Sequence, residues 1–267
     1  MTAPHRRQGE PRALTGGVFL VGGGWEAPEV YGPLLRAAGG GSRRIGCLIV
    51  DEGDGEEQFA RYAGALRAAG ECDPVPLLVP VGERFQPDPL KDALDGLDAL
   101  DGVLVCGGLT PAYQDAFAGC PELLPDVLAE HGIPYAGFSA GAVLAARRAV
   151  VGGWLVDGVP VCPPDTAEDL DEVEVRPGLG LVPFAVEVHA AQWGTLARLV
   201  AAVSHGRVPY GVAIDENTVL TVTDERGLVG GRGRVHLVRP SGGDGAGAVV
   251  RSYVPGESVP LGQPPLP

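Results

Sequence analysis

A serine hydroxyl attacks a carbonyl only where a base can take its proton and the backbone presents it without cover. Gly137-Phe138-Ser139-Ala140-Gly141 offers that presentation. The spacing is GxSxG, set between an apolar run and an Ala-rich run, the context in which a strand turns sharply into a helix. Small residues two before and two after the serine avoid backbone clashes at such a turn. The helix N-terminus then places N–H groups and a positive dipole end beside Ser139. The Ala140 N–H is an oxyanion donor by position. A second donor is expected from Gly107 or Gly108, which end another apolar run. The competing reading is a Gly-rich turn capped by a serine.

Five histidines could supply the base: His5, His131, His189, His205 and His236. His5 lies in a polar arm. His131 and His205 each end a helical pattern before a glycine, where an imidazole meets terminal carbonyls. His236 alternates within a strand pattern. His189 follows an apolar strand and precedes a helical pattern, which in a parallel sheet is the carboxyl edge where Ser139 also sits. Asp215 and Glu216 end a further strand. Either carboxylate could orient the imidazole, and an exposed acidic turn is the competing reading. The order serine, histidine, acid differs from the serine, acid, histidine order of the α/β-hydrolases, so their topology is not implied.

These residues need elements to carry them. Apolar runs predict strands over residues 18–22, 44–50, 73–80, 102–106 and 133–137, with prolines placing 73–80 near an edge. Helical spacing alternates with them near 29–38, 56–69, 90–100, 111–117, 122–131 and 140–148. Strands without period-two alternation, separated by helices, predict an α/β fold with a parallel sheet covered on both faces, doubly wound in the flavodoxin-like or Rossmann-like manner. Farther on, 150–160 reads as a hairpin and 163–181 as an acidic, Pro-rich loop near the site. Strands are expected over 183–188, 208–214, 218–223, 234–238 and 249–254, and a helix over 190–205. Turns are expected at 224–227 and 230–233, and a Gly-rich loop at 241–247.

Bulk properties narrow the function classes. The 267 residues suffice for one large α/β domain, expected over 17–267 after a mobile arm over 1–16. A net charge of −14 argues against nucleic acid and against an anionic membrane surface as partners. The five cysteines have no CxxC spacing, so neither a disulfide framework nor a metal site is suggested. The first residues lack an apolar segment of signal-peptide type, and cytoplasm is the default expectation.

With the glycine triplet Gly22-Gly23-Gly24, Gly107-Gly108, the elbow Gly137 to Ala142, Glu187-Val188-His189, Arg198-Leu199 and Ile214-Asp215-Glu216-Asn217-Thr218 in this order, the chain resembles the S51 serine peptidases. The likeness runs over roughly residues 18–261. It implies a three-layer sandwich with a mostly parallel sheet, similar to class I glutamine amidotransferases with serine in place of their cysteine. It implies hydrolysis of a peptide bond beside an aspartyl or isoaspartyl residue, a small peptide as substrate, no cofactor and no metal, and it leans towards a homodimer. Carried over by position, Ser139 is the nucleophile, His189 the base, Glu216 the acid, and Gly108 with Ala140 the oxyanion hole. Gly107, Thr110, Glu187 and Gln192 fall where the substrate is expected. The sequence departs from the cyanophycinase pattern at Ala190-Ala191-Gln192-Trp193-Gly194, where a Phe and then arginines are usual, at Leu109-Thr110, and at Glu187-Val188 in place of Asp-Gln. Two other readings use the same scaffold: a glutamine amidotransferase-like domain, although Ala191 stands where such enzymes carry an acid, and a small-molecule-binding homologue without activity.

Overall fold

The computed structural model describes residues 14–40, 43–95, 100–223, 225–242 and 247–262. The chain enters β1 (Val18–Val21) and crosses by a 3-10 turn and α1 (Gly32–Ala37) to β2 (Arg44–Asp51). It continues through α2 (Gly55–Ala69), β3 (Asp73–Pro80), α3 (Pro87–Asp95), β4 (Gly102–Val105), α4 (Thr110–Phe117), α5 (Leu123–His131), β5 (Tyr135–Phe138) and α6 (Ala140–Leu144). Short strands follow: β6 (Arg148–Gly152), β7 (Leu155–Val156), β8 (Val159–Pro160) and β9 (Glu174–Pro177). Then come β10 (Ala185–Val188), α7 (Leu196–Ser204), β11 (Gly211–Ile214), β12 (Thr218–Thr223), β13 (Arg226–Gly231), β14 (Val235–Pro240), β15 (Ala248–Tyr253) and β16 (Ser258–Pro260).

The central sheet has eight strands in the order β16-β13-β12-β1-β5-β4-β2-β3. Its β1, β5, β4, β2 and β3 run parallel, and β12, β13 and β16 continue it antiparallel. Every residue of β1, β4 and β5 is buried, as continuous apolar runs require when helices cover both faces. The architecture is a three-layer α/β sandwich of the flavodoxin-like kind. Among the described residues β3 pairs only with β2, so Pro74, Pro76 and Pro80 cost no hydrogen bond to a further strand there. The main core fills the space around this sheet. A smaller cluster, including Val150, Val173, Leu199, Val208 and Val238, lies beneath α7.

β10 does not join the central sheet, contrary to the expectation of a single sheet edge carrying both Ser139 and His189. It forms a second sheet in the order β10-β11-β14-β15, with β10 parallel to β11. The two sheets meet at the Gly triplet after β1. There the His189 N–H donates to the Gly22 carbonyl (2.9 Å) and the Asn217 N–H to the Gly23 carbonyl (2.7 Å).

Several boundaries also differ. The helix expected over 140–148 stops at Leu144, because the β-branched stretch from Arg148 pairs with β9 instead. The helix expected from 190 begins at Leu196; the turn before it passes through Gly194 at φ +74°. β13, expected only as two turns, completes a hairpin with β12 despite its glycines. Residues 1–13 of the expected arm, the end of the helix expected over 90–100, and the centre of the loop expected over 241–247 lie outside the described residues. Among the described residues no helix is long and apolar enough to cross a membrane.

Candidate active site

Ser139 stands between β5 and α6 with φ 50° and ψ −113°, a conformation that costs a non-glycine residue backbone energy. The elbow is pressed against the end of β4. The Gly141 N–H donates to the Cys106 carbonyl (3.1 Å), and a Cβ on Gly141 would collide with the Val105 carbonyl. Glycine at 141 is therefore a packing requirement of the turn that exposes the hydroxyl. Beside it, the Gly107 peptide is clamped. Its N–H donates to the Tyr62 hydroxyl (2.8 Å), and its carbonyl accepts from Tyr113 (3.2 Å). Gly107 thus has no N–H to spare. The N–H groups of Gly108 and Ala140 have no acceptor among the described residues.

The His189 imidazole lies 2.9 Å from the Ser139 hydroxyl through Nε2 and 2.8 Å from Glu216 Oε1 through Nδ1. Its placement depends on a backbone at φ 54° and on Gly23, because a Cβ at Gly23 would occupy the position of the imidazole ring. Trp193 stacks on the ring, centroids 3.8 Å apart and planes at 7°. Gln192, expected at the substrate, instead accepts the Glu216 N–H (2.9 Å) and so holds the carboxylate's backbone. Burial pushes the His189 imidazole below its ordinary pKa, and Glu216 offsets only part of that shift. The ring is therefore neutral near pH 7, with Nδ1–H donating to Glu216 and Nε2 free to accept from Ser139.

Of the two acids left open by position, Glu216 meets the imidazole. Asp215 turns the other way, accepting from the Ala191 N–H (3.1 Å), the Arg234 N–H (2.9 Å) and His236 (3.3 Å). Burial raises its pKa, but His236 and these N–H donors outweigh that and hold it below the ordinary value.

Glu187 is fully buried and pairs through both oxygens with Arg198 (2.7 and 2.9 Å), so it does not face a substrate. Arg198 in turn donates to the Gly153 carbonyl (3.2 Å) and the Thr166 carbonyl (2.7 Å), tying β10 and α7 to the acidic loop near the site. Thr110 is buried, with its N–H on Glu168 (2.8 Å). Gly107 and Gly108 do line the cleft. Trp193, Gly23 and Tyr62 were not picked out as site residues from the sequence. Two of them leave a trace there, Gly23 inside the glycine triplet after β1 and Trp193 inside the segment 190–194 that departs from the family pattern, whereas Tyr62 leaves none.

No family model matches the chain. The fold is shared with a peptidase from an acI-B1 Actinobacterium at 19% identity and a TM-score of 0.61, over 94% of this chain and 98% of that one. It is also shared with a protein described as a candidate peptidase E from Listeria monocytogenes EGD-e, at 15% identity and a TM-score of 0.51, over 81% of this chain and 98% of that one. At these identities the likeness is one of fold.

Ser139 and His189 open onto a cleft of about 890 Å³. All three tryptophans of the chain, Trp25, Trp154 and Trp193, line it. So do Glu52, Asp54, Glu57, Asp165, Glu168, Asp169 and Asp171, against one guanidinium among the described residues, that of Arg61. Burial raises the Glu168 carboxyl, which the Thr110 N–H partly counters. Among the described residues, no group of three His, Cys, Asp or Glu side chains is arranged to hold a metal ion.

Proposed function

We propose that the chain is a serine-type peptidase. The observation that carries this reading is the continuous relay from the Ser139 hydroxyl through His189 to Glu216, with both hydrogen bonds under 3.0 Å. Ser139 attacks the scissile carbonyl while His189 Nε2 takes its proton. Glu216 holds the tautomer and stabilises the imidazolium that forms. The free N–H groups of Gly108 and Ala140 receive the oxyanion. The imidazolium then protonates the leaving amine, and water, deprotonated by the same ring, clears the acyl-enzyme. The names of the two fold relatives support a peptidase over other acyl transfers. The aspartyl preference rests on the family resemblance alone. The cleft next to Ser139 offers a bound carboxylate one guanidinium among many like charges.

The test is turnover of an ester reporter and a dipeptide panel by the wild type and Ser139→Ala. The wild type should turn over the reporter, and the substitution should cost about 10⁶-fold in kcat. Equal turnover by both would remove Ser139 from the chemistry. A wild type without turnover would favour the binding-homologue reading.

A further inference from the structure

We propose that Tyr113 is a positioning residue of the reaction: its hydroxyl holds the Gly107–Gly108 peptide so that the Gly108 N–H stays turned toward the developing oxyanion. The oxyanion belongs to the serine-peptidase reading, on which this role rests, whereas the hold on the peptide is set by the chain's own contacts. The backbone donors along this stretch are filled with one omission. The Cys106 N–H donates to the Leu48 carbonyl (3.0 Å), that of Gly107 to the Tyr62 hydroxyl (2.8 Å), that of Leu109 to Glu52 (3.3 Å) and that of Thr110 to Glu168 (2.8 Å). The Gly108 N–H has no acceptor among the described residues. Three of the four acceptors are side chains, one on α2, one just after β2 and one on the acidic loop. Separate parts of the chain thus occupy the neighbours of one N–H and leave that N–H open. Gly107 and Gly108 line the cleft, and a Cβ on Gly107 would lie 3.0 Å from the Ser139 Cβ, so the open donor runs alongside the nucleophile.

Tyr113 acts on the peptide that carries this N–H. The Gly107 carbonyl and the Gly108 N–H belong to one trans peptide and so point in opposite directions. Tyr113 on α4 donates to the carbonyl (3.2 Å), which leaves the N–H facing away from that phenol. Its ring braces the same unit, since a Cβ on Gly108 would meet a ring carbon at 2.9 Å. Tyr113 is fully buried, and burial pushes its phenol well above the ordinary pKa, so the hydroxyl keeps the proton that it donates. A hydrogen bond into the carbonyl also polarises the peptide and strengthens the N–H at its other end as a donor. Tyr62 fixes the preceding peptide through the Gly107 N–H. Its ring stands edge-on to Phe138, the residue before Ser139, with centroids 5.3 Å apart. A donor held in advance costs no reorganisation when charge develops on the substrate oxygen.

The test pairs Tyr113→Phe with Tyr210→Phe. The second removes an equally buried phenolic hydrogen bond to a carbonyl, that of Leu261 (2.9 Å), from a residue that does not line the cleft. Each variant is followed by urea unfolding, by turnover of p-nitrophenyl acetate and of its thiono analogue, and by nitrogen-15 relaxation of the Gly108 amide. Sulfur accepts hydrogen bonds poorly, so the thiono ester gains little from an oxyanion donor. In Tyr113→Phe, kcat for the ester should fall about tenfold, a part of the roughly 10²–10³ that loss of a whole donor costs. KM and the thiono rate should stay at their wild-type values, and the Gly108 amide should gain motion. Tyr210→Phe should lower the urea midpoint similarly and leave both rates and the amide unchanged. The ratio of the two rates does not depend on how much of a variant is folded. Should Tyr113→Phe not fold at all, Tyr62→Phe, which frees the adjoining Gly107 N–H, should show the same split and takes its place. Equal falls for the two esters, an unchanged ester kcat, or a Gly108 amide as ordered as in the wild type would overturn the proposal. A wild type that turns over neither ester would sink the peptidase reading instead, and the amide measurement would still decide whether Tyr113 holds the peptide.

Discussion

His189 carries two hydrogen bonds of opposite sense on one small ring, and the state of that ring sets the pH behaviour. Because burial depresses its pKa, the neutral form that accepts the Ser139 proton persists into mild acid. The acid limb of kcat/KM should therefore have its midpoint below about 6.5, the ordinary histidine value. A midpoint at or above that value would mean that another group controls the limb. Trp193 excludes water from one face of the ring. Trp193→Ala should lower kcat/KM about tenfold, in line with the loss of an aromatic stack, and should move the acid limb upward as the imidazole is rehydrated. A structural role alone would leave the limb in place. Glu216→Gln should cost about 10³–10⁴ in kcat/KM with unfolding unchanged. Asp215→Asn should do the reverse, since its depressed pKa stabilises the fold above the ordinary aspartate range and loses that contribution as pH falls through the folded value. Residues 215 and 216 could not be told apart in the sequence for a simple reason. Neighbours on an extended segment point to opposite sides, and only the path of the chain after β11 decides which side faces the imidazole.

The elements explain why so short a relay holds together. β1, β4 and β5 were readable because a strand buried on both faces has no polar position to interrupt it. β13 was not, because its glycines carry the signal of a turn while its backbone pairs with β12 and β16. The placement of β10 in a second sheet was equally hidden, since an apolar run does not state its partner. That junction is where substitutions should be felt most. Gly23→Ala puts a methyl group where the imidazole lies, so activity should be lost, and the Ser139–His189 hydrogen bond with it. The Glu187–Arg198 pair works one step farther out, fixing the acidic loop through the Thr166 carbonyl. Arg198→Met leaves a buried carboxylate unpaired and should lower unfolding free energy in urea by about 3–5 kcal/mol. Adding Glu187→Leu should recover much of that loss; no recovery would show that the pair is not what the site depends on.

At the scale of the whole molecule, the strand ends of two sheets and the loop that includes residues 164–171 enclose one acidic, tryptophan-lined cleft. Its carboxylates come from separate parts of the chain, so the net charge of −14 was visible in the sequence but its concentration beside Ser139 was not. Beneath all of this stands the claim that Ser139 is made nucleophilic by His189 and Glu216. The measurement that tests it most directly is reaction with a fluorophosphonate, with the adduct mapped by mass spectrometry in the wild type, His189→Gln and Glu216→Gln. A single adduct on Ser139 is expected, formed at least about 10³-fold more slowly in the histidine variant. An adduct on another residue, or labelling of Ser139 at the same rate without the imidazole, would contradict it.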